Sequence, residues 1–201
     1  MPDVADKVRG LSDAAWQLRA EAPPWRGELP PFALALMTDD RRQPDLLALL
    51  SQLPSGCSLP PLAVIFRHDR MERRTRLDLA QNAMKLVQRK GHVFIYKGEE
   101  DLPGIDGRHG KDKGPLVTWA VHNQAEGGQA EGAHAALAFI SPVFATSSHP
   151  EARPLGLEKA GALAQNMSVP AFALGGITMG KIRELKGQPF YGVGVIGAWS
   201  G

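Results

Sequence analysis

The sequence predicts an α/β protein built as a closed barrel of eight parallel strands surrounded by helices. Short, almost uninterrupted apolar runs recur along the chain and alternate with segments whose apolar residues repeat at helical spacing. Such runs are typical of strands that are buried on both faces of a parallel sheet. Their alternation with helices indicates the (β/α)8, or TIM-barrel, fold. No G-x-G-x-x-G fingerprint follows the first predicted strand, which disfavours the alternative of an open doubly wound sheet.

Composition limits the kind of protein further. The chain has 201 residues, of which 43% are hydrophobic and 22% charged, and this predicts one domain over residues 1–201, with an N-terminal helix and lead-in at 1–31. A formal net charge of +2 does not indicate a nucleic-acid partner. No apolar run reaches the roughly 20 residues that span a membrane. The single cysteine, Cys57, fits a reducing compartment, so we expect a cytoplasmic protein, and the sequence leaves a homodimer open.

The first half of the chain supplies three strands and the helices around them. Apolar residues at helical spacing predict a helix over residues 3–20, and four prolines in 22–31 predict an extended lead-in. The other elements predicted in this half are a strand at 32–37, a helix at 45–53, a strand at 62–66, a helix at 71–90 and a strand at 92–96.

The middle of the chain is irregular. Residues 98–114 contain five glycines and show no helical period. We therefore expect a short fourth strand at 107–109, with the helices around strands three to five shortened or lost. The elements predicted after it are a strand at 116–121, a helix at 123–136, a strand at 138–141 and a helix at 157–167.

Residues 169–199 predict a phosphate-binding unit. A strand at 169–174 is followed by Gly175 and Gly176, a helix is predicted at 178–186, and a strand at 191–196 is followed by Gly197. Glycine lets a ligand approach the backbone, and two successive turns present several N–H groups at one place. In eight-stranded barrels a phosphate usually binds after strands seven and eight. We expect an anion to bind here, with Gly192 and Gly194 contributing to the same cradle.

Basic side chains follow the second strand. Arginines stand at positions 67, 70, 73, 74 and 76, and one interpretation is the solvated start of a helix. Cations at a helix N-terminus oppose the helix dipole, so an acidic neighbour is also expected. Arg67 lies nearest the strand end and is the candidate for binding a substrate.

Histidines follow strands four to six. His109, His122 and His149 are predicted at the same end of the barrel, where a metal site with Asp39 or Asp106 is one interpretation. Their spacing is not diagnostic of such a site. The alternative is that His122 packs at the barrel rim and Glu126 supports the turn after strand five, while Thr38 and Asp39 either cap a helix or bind a ligand.

Five strings in the second half resemble the thiamine-phosphate synthase and thiazole tautomerase family, with matching order and spacing over residues 116–201. They are A-V-H-N-Q-A-E at 120–126, S-P-V-F-A-T-S-S-H at 141–149, P-L-G-L at 154–157, A-L-G-G-I at 173–177 and Y-G-V-G-V-I-G-A at 191–198. The first half agrees loosely through F-R-H-D at 66–69 and D-G-R-H-G at 106–110. The chain is thus identified as a divergent member. Pro142 stands where the tautomerase has a histidine, which favours the synthase.

The resemblance implies a transferase that joins a hydroxymethylpyrimidine diphosphate to a thiazole phosphate in thiamine biosynthesis. In that family Mg2+ holds the diphosphate, which leaves first, and the thiazole nitrogen then captures the resulting cation. Carried over by matching positions, the catalytic residues are Arg67 and His149. The residues implied to bind the two substrates are Thr146 and Ser148 for the diphosphate, and Gly175, Gly176, Val195, Ile196 and Gly197 for the thiazole phosphate.

The sequence departs from the family at the metal site. Lys97 stands where the family has a metal-binding aspartate, and Asp69 stands where it has a lysine. Asp112 is the candidate for a replacement metal ligand. Lys97 is placed to take over part of the metal's charge. Two alternatives therefore stay open: a non-catalytic barrel that binds thiazole phosphate or thiamine phosphate, and an enzyme that acts on another small phosphorylated substrate.

Overall fold

In the computed structural model of the protein, eight parallel strands close into a barrel in chain order. The structure describes residues 3–110, 113–146, 151 and 153–200. The strands are β1 (Leu34–Met37), β2 (Ala63–Phe66), β3 (Val93–Tyr96), β4 (Gly107–His109), β5 (Val117–Val121), β6 (Leu137–Ile140), β7 (Ala171–Ala173) and β8 (Val193–Val195). The barrel closes where β8 pairs with β1, with Val195 opposite Leu36. The predicted fold class is confirmed.

Six helices lie outside the barrel in the described part of the chain. They are α1 (Val4–Glu21), α2 (Leu46–Ser51), α3 (Arg73–Arg89), α4 (Gln124–Gly132), α5 (Gly156–Gln165) and α6 (Met179–Glu184). The side chain of Asn123 caps α4 by accepting the N–H of Glu126, as predicted. Helix α4 ends at Gly132 rather than at residue 136, because its three glycines weaken the helix.

The connections on either side of β4 contain no helix in residues 98–106, 110 and 113–116, which confirms the shortened middle of the barrel. Asp106 anchors this segment, since its carboxylate accepts the N–H of Phe94 at 2.8 Å and the side-chain amide of Gln88 at 3.0 Å. Glycine is required at position 107, where a Cβ would lie 2.4 Å from the carbonyl oxygen of Leu116. The short strand therefore depends on a close approach between neighbouring backbones.

Aromatic side chains fill the interior of the barrel. The rings of Phe139 and Phe172 meet edge to face at 5.7 Å, and Phe172 also contacts Phe32 at 5.9 Å. Gly192 serves this packing, because a Cβ there would lie 2.4 Å from the Phe172 ring. The sequence-based assignment of Gly192 to the phosphate cradle is therefore wrong. With the interior filled, ligands have access only to the ends of the barrel.

Helix α1 packs beside α6 on the outside of the barrel, and its last turn reaches the amino-terminal end. Arg19 ties it there: its Nε donates to the carbonyl of Tyr191 at 2.7 Å, and its guanidinium also donates to the carbonyls of Pro30 and Phe32. Burial lowers the pKa of Arg19 to about 10. None of the described helices combines the length and apolar character needed to cross a membrane. The single domain over residues 1–201, the cytoplasmic location and the homodimer stay predictions.

Candidate active site at the carboxyl rim of the barrel

Two neighbouring pockets open where the carboxyl ends of the strands meet. The first, here called the glycine pocket, has a volume of about 370 Å3 and is lined by the loops after β6, β7 and β8 together with Arg42. The second, called the cationic pocket, has a volume of about 570 Å3 and is lined by the loops after β1, β2 and β3. Arg42 and Ile196 line both pockets, so a ligand in one lies next to a ligand in the other.

Backbone conformation shapes the glycine pocket. Gly175 and Gly176 have φ angles of 92° and 66°, in the left-handed region that favours glycine. A Cβ at Gly175 would lie 2.7 Å from the Cα of Pro142, and one at Gly176 would lie 2.4 Å from the carbonyl oxygen of Ala145. The turn after β7 is thus pressed against the loop after β6, an arrangement that tolerates no side chain.

The structure brings both predicted glycine turns to one place. Gly175, Gly176, Val195, Ile196 and Gly197 all line the glycine pocket, and Thr146 lines its opposite side. Among the described residues, the N–H groups of Gly175, Gly176 and Gly197 donate to no protein acceptor. Backbone N–H groups that border one concavity and lack a protein acceptor suit an anion. The assignment of a phosphate to these residues stays a prediction.

Arg42 is a residue of the site that the sequence analysis missed. It lies in the turn after β1, where the carboxylate of Asp39 accepts the N–H groups of Arg41 and Arg42 at 3.1 and 3.2 Å. A Cβ at Gly197 would lie 2.9 Å from Nη1 of Arg42, so the guanidinium packs on the glycine turn after β8. The sequence did contain a signal for this residue, namely two adjacent arginines, Arg41 and Arg42, just beyond the end of β1. Asp39 shapes this turn.

The cationic pocket is rich in positive charge. It is lined by five basic side chains and three carboxylates, namely Arg41, Arg42, Arg67, Arg70 and Lys97 with Asp39, Asp40 and Asp69. Hydrogen bonds between neighbouring loops hold its wall: the N–H of Arg67 donates to the hydroxyl of Thr38 at 2.9 Å, and that of Arg70 donates to Asp40 at 3.0 Å. The candidate Arg67 therefore lies in the pocket expected to receive an anion.

An ion pair joins the loops after β2 and β3. Nζ of Lys97 lies 2.6 Å from Oδ2 of Asp69, and both side chains are partly exposed. Beneath the pair, Arg76 is buried, and its Nη2 lies 3.7 Å from Oδ1 of Asp69. Nε of Arg76 donates to the carbonyl of His68 at 2.9 Å, and its guanidinium also donates to the carbonyl of Lys97. Arg76 thus fixes the ends of both strands.

The arginine run is therefore not one solvated face. Arg73 and Arg74 are exposed, but Arg76 is buried with Glu100 at 3.3 Å and with the hydroxyl of Tyr96. Burial and the hydrogen bond with Glu100 raise the pKa of Tyr96 to about 12. The expected acidic neighbours are confirmed: besides Glu100, Glu72 caps α3, and hydrogen bonds from the backbone N–H groups of the first turn lower its pKa.

His109 is held neutral below the cationic pocket. Its Nδ1 lies 2.8 Å from the hydroxyl of Thr118, and its ring contacts Phe139. Burial, together with the positive charges of Arg67 and Lys97, lowers the pKa of His109 to about 3. The influence of Arg67 and Lys97 on one imidazole agrees with their place in the same pocket.

The hypothesis of a histidine metal site finds no support in the described residues, which include no cluster of three or more His, Cys, Asp or Glu side chains suited to a metal. His122 instead contacts Glu126, with Nδ1 2.6 Å from Oε2. Glu126 also accepts the backbone N–H of His122 and supports the turn after β5, as predicted. His149, Ser148 and Asp112, all predicted to belong to the site, lie outside the described residues.

The described donors do not fit Mg2+, which requires a near-octahedral set of oxygens. Lys97 occupies the position where the resemblance places a metal-binding aspartate, and an ammonium group repels a cation. Asp69 is engaged by Lys97 and Arg76, and the carboxylates of Asp39 and Asp40 accept backbone N–H groups. These carboxylates hold loops and cations, which leaves no set of oxygens suited to Mg2+ among the described residues on this side of the barrel.

Comparisons with known proteins converge on one family. A family model described as thiamine monophosphate synthase matches residues 96–199. The putative thiamine-phosphate synthase 2 of Aquifex aeolicus is 37% identical over 78 residues, which are 39% of this chain and 42% of that protein. The putative thiamine-phosphate synthase of Geobacter sulfurreducens is 27% identical over 184 residues, 83% of this chain and 86% of its own length.

A solved structure shares the barrel fold. It is thiamine phosphate pyrophosphorylase from Pyrococcus furiosus, with a TM-score of 0.67 and 22% sequence identity. The superposition covers 83% of this chain and 88% of that one.

Proposed function

The chain belongs to the thiamine monophosphate synthase family, which confirms the resemblance and its transferase class, and from this premise we propose that it joins a hydroxymethylpyrimidine diphosphate to a thiazole phosphate. The observation that carries the proposal is the pair of pockets that share Arg42 and Ile196. A reaction between two phosphorylated substrates requires two anion sites side by side, with the reacting ends of the substrates directed at each other. The two pockets lie side by side, which supports the proposal.

The glycine pocket is proposed to bind the phosphate of the thiazole. Its N–H groups at Gly175, Gly176 and Gly197 are rigid donors, so they hold an oxyanion without ordering any side chain. Arg42 adds a guanidinium at the boundary with the second pocket. With the phosphate held here, a thiazole ring lies at the carboxyl rim of the barrel, next to the cationic pocket.

The cationic pocket is proposed to bind the diphosphate of the pyrimidine substrate. In the reaction, the bond between the pyrimidine methylene carbon and the diphosphate oxygen breaks, and its electron pair leaves with the diphosphate. The lone pair of the thiazole nitrogen then forms the new carbon–nitrogen bond. Arg67 and Lys97 stabilise the charge that develops on the leaving diphosphate, which is the usual contribution of fixed cations to such a step. His149 and Ser148, which lie outside the described residues, stay candidates on the resemblance alone.

A product assay tests this function. The purified chain is incubated with hydroxymethylpyrimidine diphosphate and thiazole phosphate, with and without Mg2+. Thiamine phosphate and released diphosphate are then measured, and we expect them to form in equal amounts. Arg67→Ala is expected to lower the rate at least a hundredfold, since a cation on the leaving group is lost. Lys159→Ala, at an exposed position of α5, is the matched control and retains the rate.

A second candidate function is a non-catalytic barrel that binds thiazole phosphate or thiamine phosphate. The ion pair between Lys97 and Asp69 favours it, because this pair stands where the family has a metal-binding carboxylate. The same experiment separates the two functions. Thermal stabilisation by thiazole phosphate with no product under either condition supports the binding protein, whereas formation of thiamine phosphate excludes it.

A further inference from the structure

The ion pair between Lys97 and Asp69 has the opposite arrangement of charges from the one that the family resemblance implies. The resemblance places a carboxylate after β3 and a lysine after β2, whereas this chain has Lys97 after β3 and Asp69 after β2. The structure shows that the two exchanged positions touch, with Nζ and Oδ2 2.6 Å apart. This chain therefore carries the positive charge on the strand from which the family supplies a metal ligand, and pairs it with a carboxylate after β2.

The negative charge of the pair is shared between two cations. Asp69 has Lys97 on one oxygen at 2.6 Å and Nη2 of Arg76 near the other at 3.7 Å. Arg76 is buried and donates to the backbone at the ends of β2 and β3, so the pair rests on a rigid support. Because Asp69 is shared, Lys97 retains positive charge toward the pocket, where its side chain is 42% exposed.

The other carboxylates of the cationic pocket are also engaged. Asp39 accepts the N–H groups of Arg41 and Arg42, and Asp40 accepts the N–H of Arg70. Their oxygens therefore hold the turns that present the arginine side chains. The basic side chains outnumber the acidic ones in this pocket, and guanidinium and ammonium groups bind phosphate oxygens through charge-assisted hydrogen bonds.

We propose that the cationic pocket binds a diphosphate group directly through Lys97, Arg67 and Arg70, with no divalent cation between the diphosphate and the protein. Lys97 supplies the charge that a metal would bring, and the two arginines supply directed hydrogen bonds. The proposal deepens the proposed function and rests on it for the identity of the diphosphate as part of the pyrimidine substrate. Its binding step is tested with inorganic diphosphate alone.

Titration calorimetry of the full chain with inorganic diphosphate tests the proposal. The dissociation constant in EDTA is expected to lie within about threefold of the value in Mg2+, because the cations belong to the protein. Lys97→Ala is expected to weaken binding in EDTA at least tenfold, while the surface control Lys159→Ala leaves it unchanged. Binding of diphosphate only in the presence of Mg2+, or no binding in either buffer, overturns the proposal.

A charge-exchange variant gives a sharper test. Asp69→Lys combined with Lys97→Asp keeps an ion pair between the two loops but restores a carboxylate after β3. We expect this variant to bind diphosphate at least tenfold more weakly in EDTA and to regain affinity when Mg2+ is added. Equal affinity of variant and wild type in EDTA contradicts the proposal. Thermal unfolding of each variant confirms that it is folded.

The outcomes keep this inference separate from the proposed function. Calorimetry measures binding without turnover, so diphosphate binding in EDTA with no thiamine phosphate product means that the proposed function fails and the binding site stands. Product formation together with diphosphate binding that requires Mg2+ means that the function stands and the inference fails.

Discussion

The glycine pocket and the cationic pocket are built from different parts of the chain. In the glycine pocket the predicted ligand-binding groups are mainly backbone N–H groups, held by turns that exclude side chains at Gly175 and Gly176. In the cationic pocket they are long side chains, positioned by buried Arg76 and by carboxylates that hold the loops. A site made of backbone tolerates little substitution, whereas a site made of side chains can carry exchanged charges that pair with each other, as Asp69 and Lys97 do.

The largest expected effect comes from removing the buried arginine that supports the cationic pocket. Arg76→Met leaves Glu100 and Asp69 without their buried cation and frees the ends of β2 and β3, so the free energy of unfolding should fall by about 3 kcal/mol. Chemical denaturation measures this loss. Arg74→Ala, an exposed arginine on the same helix, should change it by less than about 0.5 kcal/mol. The Arg76→Met variant should lose affinity for diphosphate and retain its affinity for thiazole phosphate. Near-normal affinity for diphosphate contradicts the positioning role of Arg76.

The next effect is on the glycine pocket. Gly176→Ala places a Cβ 2.4 Å from the carbonyl of Ala145 at a φ of 66°, and we expect binding of thiazole phosphate to weaken about a hundredfold as the turn moves. Gly187→Ala is the matched control, since Gly187 has a φ of 80° but no atom within 4 Å of the place that a Cβ would take. Calorimetry should show an effect only for Gly176→Ala. Equal losses in both variants would mean that backbone strain, and not the shape of the pocket, is responsible.

A smaller effect distinguishes the boundary between the pockets. Arg42 lines both pockets and Arg41 lines only the cationic pocket. Arg42→Ala is therefore expected to weaken both thiazole phosphate and inorganic diphosphate about tenfold, as the loss of one charge-assisted contact does. Arg41→Ala should weaken diphosphate only. If Arg42→Ala affects a single ligand, the two pockets do not act as adjoining halves of one site.

The smallest expected effect is a pH dependence of stability that is caused by His109. The folded state lowers the pKa of His109 to about 3, so between pH 6.5 and 3 the unfolded chain takes up a proton that the folded chain refuses. Stability therefore falls with decreasing pH, by about 1 kcal/mol from this residue between pH 6.5 and 5.5. Denaturation of His109→Asn at the two pH values should show a loss smaller by that amount.

His134→Asn is the matched control for this pH effect. His134 is exposed and has a φ of 50°, a conformation that asparagine tolerates. This variant should retain the full loss of stability of the wild type. Burial also lowers the pKa values of His68 and His92, so part of the pH dependence persists without His109. An unchanged loss in His109→Asn contradicts a neutral imidazole at this position.

The sequence by itself determined the barrel and the glycine pocket. Except for β4, each strand is a largely apolar run that needs burial on both faces, so its place is visible locally, and the observed ends differ from the expected ones by at most two residues. Gly175 and Gly176 are visible for a similar reason, since left-handed backbone and close contact with a neighbouring loop both require glycine. Such requirements can be met by glycine alone, so they are visible in the residue type.

Only the tertiary structure decided the environment of the charged side chains. The helical period places Arg76 on the face of α3 that also carries Ala80 and Val87. That this cation has partners there is decided by the neighbouring strand, which brings Tyr96 and Glu100 to it. In the same way, Lys97 meets Asp69 only because β2 and β3 are adjacent. A charge acts through whatever lies within a few ångströms of it, and barrel closure sets those neighbours.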